Sequence, residues 1–381
     1  MFRRLSNSLP KDPEFPADLG KLGYFHNSSD QIRSIARPDQ EFNFFISKNE
    51  RVCEKQREAF NDCIRADLST RFTTLNLQTT HLPSGPSSPN IPILHSAHLP
   101  AAKRLILYFG ESNQDLGIFA YRTIGQISNA AGSCIDFVSA IHTAPEGGAP
   151  APAVLIANCG QLIWYRRGGR AVTQQTWSAL PRKTGVSLPY KLNPEKNYVK
   201  GHRTVGEHVE SVFEWVRKEA REGVRIDVVS VGDSLAEVSK YLETHWGEWK
   251  AKVDAVAIGS GHAWLGPDRS EWSDEFADFW ARRARAYLLS HNEPLDTPLT
   301  GRNEFGCNCY ASGEPTYVER TMPMAYKSML TSFVCLRDRF FEMAANIPGY
   351  EEVEEPELPG DEKQDVVHEL TIDSPGVSSA A

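Results

Sequence analysis

The chain has 381 residues, of which 40% are hydrophobic and 24% charged, and its formal net charge is −8. This length is enough for one large hydrophobic core or two ordinary ones, and without a run of about 18 apolar residues we expect no membrane partner. The charge is uneven, because residues 351–381 hold ten acidic side chains and one lysine, which leaves a net charge of about +1 for the rest. We therefore predict a nearly neutral folded body followed by a disordered acidic tail over residues 348–381.

The first part of the chain predicts an arm, short strands and one long helix. Residues 1–18 are polar and proline-bearing and are expected to form a flexible arm. Residues 19–49 mix aromatic and polar side chains, which is typical of short strands and turns. Residues 50–72 show helical spacing of their apolar positions, and the Pro/Ser-rich residues 82–92 indicate a surface loop.

The middle of the chain alternates apolar runs with loops. Residues 103–109 predict a buried strand, and residues 118–127 predict a helix. Two further strands are predicted over residues 133–141 and 154–157, and residues 162–165 predict one arm of a hairpin.

The clearest helix is predicted over residues 204–220, where Thr204-x-x-Glu207 has capping-box spacing and one apolar stripe follows. Downstream, strands are predicted over residues 253–258 and 287–289, and helices over residues 274–285 and 324–341. Strands that alternate with helices indicate a mostly parallel, doubly wound α/β sheet, which we place in a single domain over residues 19–347.

A nucleophile elbow is predicted where the strand over residues 226–231 ends. Gly232, Ser234 and Ala236 have the small-x-Ser-x-small spacing that places a serine on a sharp strand-to-helix turn, and helical spacing follows. This context predicts an α/β-hydrolase-like sheet with Ser234 at its carboxyl edge. An oxyanion hole would use backbone amides of Leu235 and of the loop over residues 110–117.

A working triad needs an acid and then a histidine after the serine. Glu293 or Asp296 lies at the expected place for the acid, although the same turn is equally consistent with Asp296 as a capping residue. The loop after the last predicted strand contains no histidine, so His262 is the remaining candidate base, with a surface or supporting role as its alternative. The pattern therefore favours a degenerate, non-catalytic site over a serine hydrolase that uses Ser234.

Two other kinds of site come into question, a nucleic-acid-binding site and a metal or cofactor site. Arg166, Arg167 and Arg170 lie beside Trp164 and Tyr165, and arginine with stacking aromatics is the composition that binds single-stranded nucleic acid. Isolated basic residues are more often solvated surface. The seven cysteines lack paired zinc spacing, so we expect reduced thiols and neither a metal nor another cofactor.

Several phrases of the sequence together resemble one family. They lie at residues 22–24, 30–33, 115–122, 158–164, 177–182, 206–209 and 306–314. In these phrases the chain resembles the fungal Argonaute-binding protein family, in particular the domain of its second member, over roughly residues 19–345. The domain is also similar to the C-terminal domain of fungal class II histone deacetylases.

The resemblance implies an α/β-hydrolase-like scaffold that holds Argonaute with bound small RNA and is linked to heterochromatin formation. It implies a protein of the nucleus and cytoplasm, with the nucleus favoured, and a histone deacetylase or other chromatin-silencing subunits as further partners. More distant animal relatives are similar at Glu207-His208, at the elbow and at Glu293. In them we expect a histidine where this chain has Val318, and this departure argues against transferring a triad.

Overall fold

An eight-stranded sheet organises the protein. The computed structural model describes residues 9–83, 85–143, 151–260, 266–290, 293–294, 297–300 and 304–312, all within one compact unit, Met1–Ile347. The strands described are β1 (Tyr24–His26), β2 (Ile32–Ser34), β3 (Leu77–Leu82), β4 (Ile91–Ser96), β5 (Arg104–Phe109), β6 (Ala153–Ile156), β7 (Ile163–Tyr165), β8 (Arg170–Val172), β9 (Arg225–Val231), β10 (Val253–Ser260), β11 (Ala284–Leu288) and β12 (Asn308–Ala311). The predicted helix over residues 324–341 and the predicted acidic tail lie outside the described residues.

Eight helices flank the strands in the described part of the chain. They are α1 (Glu50–Thr74), α2 (Tyr121–Gln126), α3 (Cys134–Thr143), α4 (Gln174–Ala179), α5 (Val205–Glu219), α6 (Ser234–Thr244), α7 (Trp246–Trp249) and α8 (Asp274–Arg283). The predicted capping of α5 is confirmed, because the Thr204 side chain accepts a hydrogen bond from the Glu207 N–H at 3.2 Å. No helix among the described residues is long and apolar enough to cross a membrane.

The strand order in the large sheet is β12-β11-β10-β9-β5-β6-β4-β3. Strands β12 to β6 in this order are parallel to their neighbours, and β4 and β3 continue the sheet antiparallel. Strand β9 is therefore central, with β5 on one side and β10 on the other. This topology confirms the predicted α/β-hydrolase-like fold class.

Side chains that alternate along the strands pack against helices on both faces of the sheet. On β5, Leu105 and Leu107 belong to the core with α5, α6, α7 and α8, whereas Ile106 and Tyr108 belong to the core with α1, α2 and α3. Both faces are thus covered, which explains why nearly every residue of β5, β9 and β10 is buried.

Three predictions about local structure were wrong. Residues 133–141 form a helix rather than a strand, because Cys134, Phe137, Val138 and Ile141 repeat at helical spacing and are all buried on one side. The predicted loop over residues 82–92 is shorter, since Leu82 ends β3 and Ile91 begins β4 of an antiparallel pair. The predicted helix over residues 118–127 is limited to α2.

The expected flexible arm is fixed from residue 9 onward. The Asp12 carboxylate accepts hydrogen bonds from Arg51 Nε at 2.7 Å and Nη2 at 2.8 Å, and from the Arg182 N–H at 2.9 Å. The Asp12 and Arg51 side chains are 7% and 6% exposed. A buried ion pair of this kind anchors residues 9–18 to α1, so the prediction of a loose arm does not hold for them.

Candidate functional site

The turn between β9 and α6 lies at the carboxyl edge of the sheet, as the sequence predicted. Helix α6 begins at Ser234, directly after the central strand. Ser112, which follows β5, and Asn158, which follows β6, lie at the same edge. In parallel sheets this edge is where ligands bind and reactions take place. The predicted site residues would therefore have to meet there.

The Ser234 hydroxyl points into the protein. The residue has no exposed surface, and its Oγ lies 3.1 Å from the Phe109 carbonyl oxygen and 2.9 Å from that of Val231. The Ser230 hydroxyl is 3.0 Å away, and the Val231 N–H donates to Ser234 Oγ at 3.3 Å. This oxygen joins the ends of β5 and β9 below the turn, so it does not face a substrate.

The top of the turn is occupied by Gly232 instead. Its φ of +60° is in the left-handed region, whereas Ser234 is not among the described non-glycine residues with positive φ. A Cβ built on Gly232 would lie 2.7 Å from both Cγ and Oε1 of Glu111. The backbone therefore fits the spacing Ser230-x-Gly232-x-Ser234, in which the residue at the apex has no side chain.

Two of the amides expected to form an oxyanion hole, those of Ser112 and Leu235, are already hydrogen-bonded. The Ser112 N–H donates to Asp233 Oδ1 at 2.9 Å, and the Ser112 hydroxyl donates to Asp233 Oδ2. The Leu235 N–H donates to the Gly232 carbonyl oxygen at 3.3 Å. The carboxylate of Asp233 thus accepts from the Ser112 N–H, one of the donors that would otherwise face a developing negative charge.

Of the other predicted triad members, Glu293 lies among the described residues, and no hydrogen bond joins it to Ser234 there. Glu293 is exposed, and its N–H donates to the Ser290 hydroxyl at 3.3 Å, which is the contact of a turn. His262 and Asp296 lie outside the described residues, so their roles stay predictions.

A buried polar network beside this edge was not predicted from the sequence. Arg65 donates to Asp115 at 2.8 Å, to Glu58 at 2.6 Å and to Asp62 at 2.7 Å, and the Tyr121 hydroxyl donates to Asp115 at 2.6 Å. Burial raises the pKa of Glu58 and raises that of Tyr121 well above its usual value. For Arg65, burial acts to lower the pKa, but the surrounding acidic groups outweigh it and hold the guanidinium charged.

The network continues from Asp115 to the loop after β6. Gln161 Nε2 donates to Asp115 at 2.6 Å, and its Oε1 accepts from the Leu116 N–H at 3.2 Å and from Asn158 Nδ2 at 3.0 Å. The Asn158 N–H in turn donates to His208 Nε2 at 3.0 Å. Three of the phrases that carry the family resemblance therefore meet in one set of buried contacts, which gives them a structural role.

His208 ends this chain of contacts as part of a buried histidine pair. Its Nδ1 is 2.8 Å from Nδ1 of His202, and because Nε2 accepts from a backbone N–H, Nδ1 is the nitrogen that donates. Burial lowers the pKa of His202 to about 4, and burial together with His202 lowers that of His208 well below its usual value. His208 is thus a neutral, fully buried residue with a structural role.

The predicted nucleic-acid site lies on the β7–β8 hairpin. Arg166 and Arg167 are exposed at its tip, and Arg170 is 3.7 Å from Asp62 in an ion pair. Trp164 is only 8% exposed and packs in a small core, so its ring is not offered for stacking against a base. The arginines lie on one hairpin, and of the two predicted aromatic residues only Tyr165, which is half-buried beside Trp177, keeps exposed surface for stacking.

Comparison with known protein families identifies one match. A family model described as "Arb2 domain" matches residues 15–295, which is well over half of the chain. No curated protein sequence is significantly similar to it.

Solved structures are similar at low sequence identity. A histone deacetylase from Saccharomyces cerevisiae matches over 73% of this chain and 95% of its own, with 12% identity and a TM-score of 0.40. The esterase LipW from Mycobacterium marinum matches over 76% of this chain and 64% of its own, with 12% identity and a TM-score of 0.29. An arylesterase matches over 72% and 92%, with 10% identity and a TM-score of 0.30. At these TM-scores the similarities carry no argument about chemistry.

Proposed function

The chain belongs to the Arb2 domain family, and from this premise we propose that it is a non-catalytic scaffold in a complex of Argonaute with small RNA. In this role it acts in heterochromatin formation directed by RNA silencing. The motif resemblance to the Argonaute-binding family supports Argonaute as the partner. The burial of the Ser234 hydroxyl is the observation that supports a role without catalysis.

The chemistry of ester hydrolysis explains why this burial matters. A serine nucleophile has to reach a carbonyl carbon while a base takes its proton and amides stabilise the oxyanion. Here the Ser234 hydroxyl lies against the carbonyl oxygens of Phe109 and Val231, and the Ser112 amide is bonded to Asp233. Losing one triad member already costs several orders of magnitude in rate. In the described part of this site, neither an accessible serine hydroxyl nor a free Ser112 amide is present.

Hydrolysis assays distinguish the scaffold from the alternative, a serine hydrolase. The full chain and its Ser234→Ala variant are compared for hydrolysis of p-nitrophenyl acetate and for covalent labelling by a fluorophosphonate. We expect equal, low rates and no labelling of Ser234. A rate that depends on Ser234, or a labelled Ser234, establishes the hydrolase instead.

The proposed partner is tested by purification from cells. Tagged full-length protein is isolated with and without ribonuclease treatment, and its associated proteins and RNA are identified. We expect Argonaute in both samples, small RNA only in the untreated one, and enrichment of the tagged protein in the nucleus over the cytoplasm. A histone deacetylase or another silencing subunit is expected as a further component, and absence of Argonaute from both samples refutes the proposal.

RNA is expected to be held through Argonaute rather than directly. The first 350 residues carry a net charge of only about +1, which gives little general attraction for phosphate. Depletion of Argonaute from the cells should therefore remove small RNA from the purified sample.

A further inference from the structure

The segment between α4 and α5 exposes three large apolar side chains. Val186 is 61% exposed, Leu188 is 86% exposed and Tyr190 is 50% exposed. Single exposed apolar residues are ordinary on protein surfaces, but three within five positions form a local patch. These side chains belong to residues 183–192, the apolar loop.

The backbone of the apolar loop is firmly held. Arg182 donates to the Ser187 carbonyl oxygen at 3.1 Å, and Trp177 Nε1 donates to the carbonyl oxygen of Tyr190 at 2.8 Å. The Tyr190 hydroxyl donates to the Pro181 carbonyl oxygen at 3.0 Å. These contacts fix the loop in one arrangement, so binding a partner there costs little ordering of the protein.

A second contact ties the apolar loop to the rest of the domain. The Gly185 N–H donates to the Pro10 carbonyl oxygen at 3.0 Å, and the neighbouring Asp12 is anchored by Arg51 and by the Arg182 N–H. The side chains of the loop are thus exposed on a backbone that hydrogen bonds hold in place.

Exposed lysines flank the apolar side chains along the chain. Lys183 and Lys191 are exposed at the two ends of the loop, and two further exposed lysines follow before α5. Residues 183–200 contain four lysines and one glutamate, a net charge of +3, within a body whose net charge is about +1. A partner that covers the patch is therefore favoured if it carries negative charge beside its apolar side chains.

We propose that the apolar loop is a docking surface for an acidic peptide segment of another protein, one in which apolar and acidic side chains are interspersed. The apolar side chains of the segment cover Val186 and Leu188, and its carboxylates pair with Lys183 and Lys191. The surface does not depend on whether Argonaute is the partner.

The chemistry of the loop favours a peptide over RNA. Val186 and Leu188 are aliphatic and offer no face for base stacking, and the only aromatic residue of the loop, Tyr190, has its hydroxyl engaged with a backbone carbonyl. Phosphate contacts alone would leave the aliphatic groups exposed.

A second set of exposed apolar residues provides a matched control. Ile35 is 54% exposed and Phe45 is 68% exposed. Their surroundings contain acidic Asp39 and Glu41 together with basic residues. This set lacks the excess of positive charge that identifies a partner for the apolar loop.

The test uses a defined fluorescent peptide in which Asp and Glu alternate with Leu and Phe. Its binding to the full chain is measured by anisotropy and compared with peptides that carry Lys in place of the acids or Ser in place of the apolar residues. The variants are Val186→Ser/Leu188→Ser and Lys183→Glu/Lys191→Glu. The controls are Ile35→Ser/Phe45→Ser and Lys218→Glu/Lys240→Glu, which change exposed residues elsewhere.

We expect the acidic apolar peptide to bind, and both loop variants to raise its Kd at least tenfold with an unchanged unfolding transition. Both control variants should bind as the wild type does, and Kd should increase with salt. The proposal is overturned if the peptide does not bind, if the Lys or Ser peptide binds equally well, or if the control variants weaken binding as much as the loop variants. If a single-stranded RNA binds instead, and the Lys183→Glu/Lys191→Glu variant abolishes that binding, the loop is a nucleic-acid surface.

Discussion

Asp115→Asn should be far more destabilising than Asp62→Asn, although both carboxylates pair with the same guanidinium. Asp62 Oδ1 is 2.7 Å from Arg65 and Asp115 Oδ2 is 2.8 Å from it, so the two contacts have nearly the same length. They differ in exposure, because the Asp115 side chain is 3% exposed and that of Asp62 is 40% exposed. The comparison therefore contrasts a buried carboxylate that has several partners with a half-exposed one that pairs with the same guanidinium.

The expected magnitudes follow from the contacts of each carboxylate. Asp115 accepts hydrogen bonds from Arg65, Tyr121 and Gln161, and an amide at this position turns an N–H₂ group toward one of those donors. Removing one partner of a buried pair costs about 3–5 kcal/mol, and we expect about 3 kcal/mol because Glu58 still pairs with Arg65. An exposed pair such as that of Asp62 contributes at most about 1 kcal/mol.

The free energy of unfolding is measured by guanidinium denaturation, followed by tryptophan fluorescence, for the wild type and both variants. Equal denaturant dependence in the three proteins shows that the difference lies in the folded state. We expect the Asp115→Asn variant to be less stable than the Asp62→Asn variant by about 2 kcal/mol or more. Equal losses in the two variants would refute the assignment of the network as a buried electrostatic support.

Three further outcomes are expected. Burial lowers the pKa of His202 to about 4 in the folded state, so its stabilising effect is fully present above pH 6.5 and is lost as the pH falls toward 4. His202→Asn should therefore remove about 3 kcal/mol of the change in the free energy of unfolding between pH 7 and pH 4, measured by denaturation. Gly232→Ala should cost about 1–3 kcal/mol through its φ of +60° and its approach to Glu111, and a Glu111→Ala change should recover the steric part in a thermal melt. Isolated protein should show no steeply salt-dependent RNA binding by anisotropy, and Arg166→Ala/Arg167→Ala should therefore change little; a steep dependence lost in that variant would contradict this expectation.

The sequence predicted elements well where local signals agreed. Helix α5 has a capping residue, Thr204, and a single apolar stripe, and β9 has a long β-branched run, so both were located within a residue or two. Helix α3 failed because its short apolar run is compatible with either a strand or one buried helix face. The β3–β4 pair failed because the polar residues of β3 do not show a clear alternation.

The register of the turn after β9 could not be predicted from the spacing of small residues. Ser230, Gly232, Ser234 and Ala236 are all small, so two overlapping motifs fit the same letters. The backbone distinguishes them, because the positive φ falls on Gly232 and the hydroxyl of Ser234 turns inward. A pattern that tolerates glycine, alanine and serine alike cannot decide which position reaches the apex.

The buried network was beyond prediction for a different reason. Arg65, Asp115 and Gln161 are separated by about 50 residues each, and their contacts arise only when α1 packs beside the loops that follow β5 and β6. Charged residues in these positions look like ordinary surface residues in the sequence, since nothing local indicates that each will be buried with a partner.

At the turn after β9, the side chains of Ser112, Asp233 and Ser234 are hydrogen-bonded within the protein. Asp233 lies at the amino end of α6, where a negative charge is stabilised by the helix dipole, and it also accepts from Ser112. A substrate that reacts with Ser234 would have to reach a hydroxyl that lies against the carbonyl oxygens of Phe109 and Val231 below the turn. The side chains of residues 186–190 can be covered by a partner without any rearrangement of these contacts. Within the described residues, these contacts support our proposal of recognition at the surface over chemistry at the turn after β9.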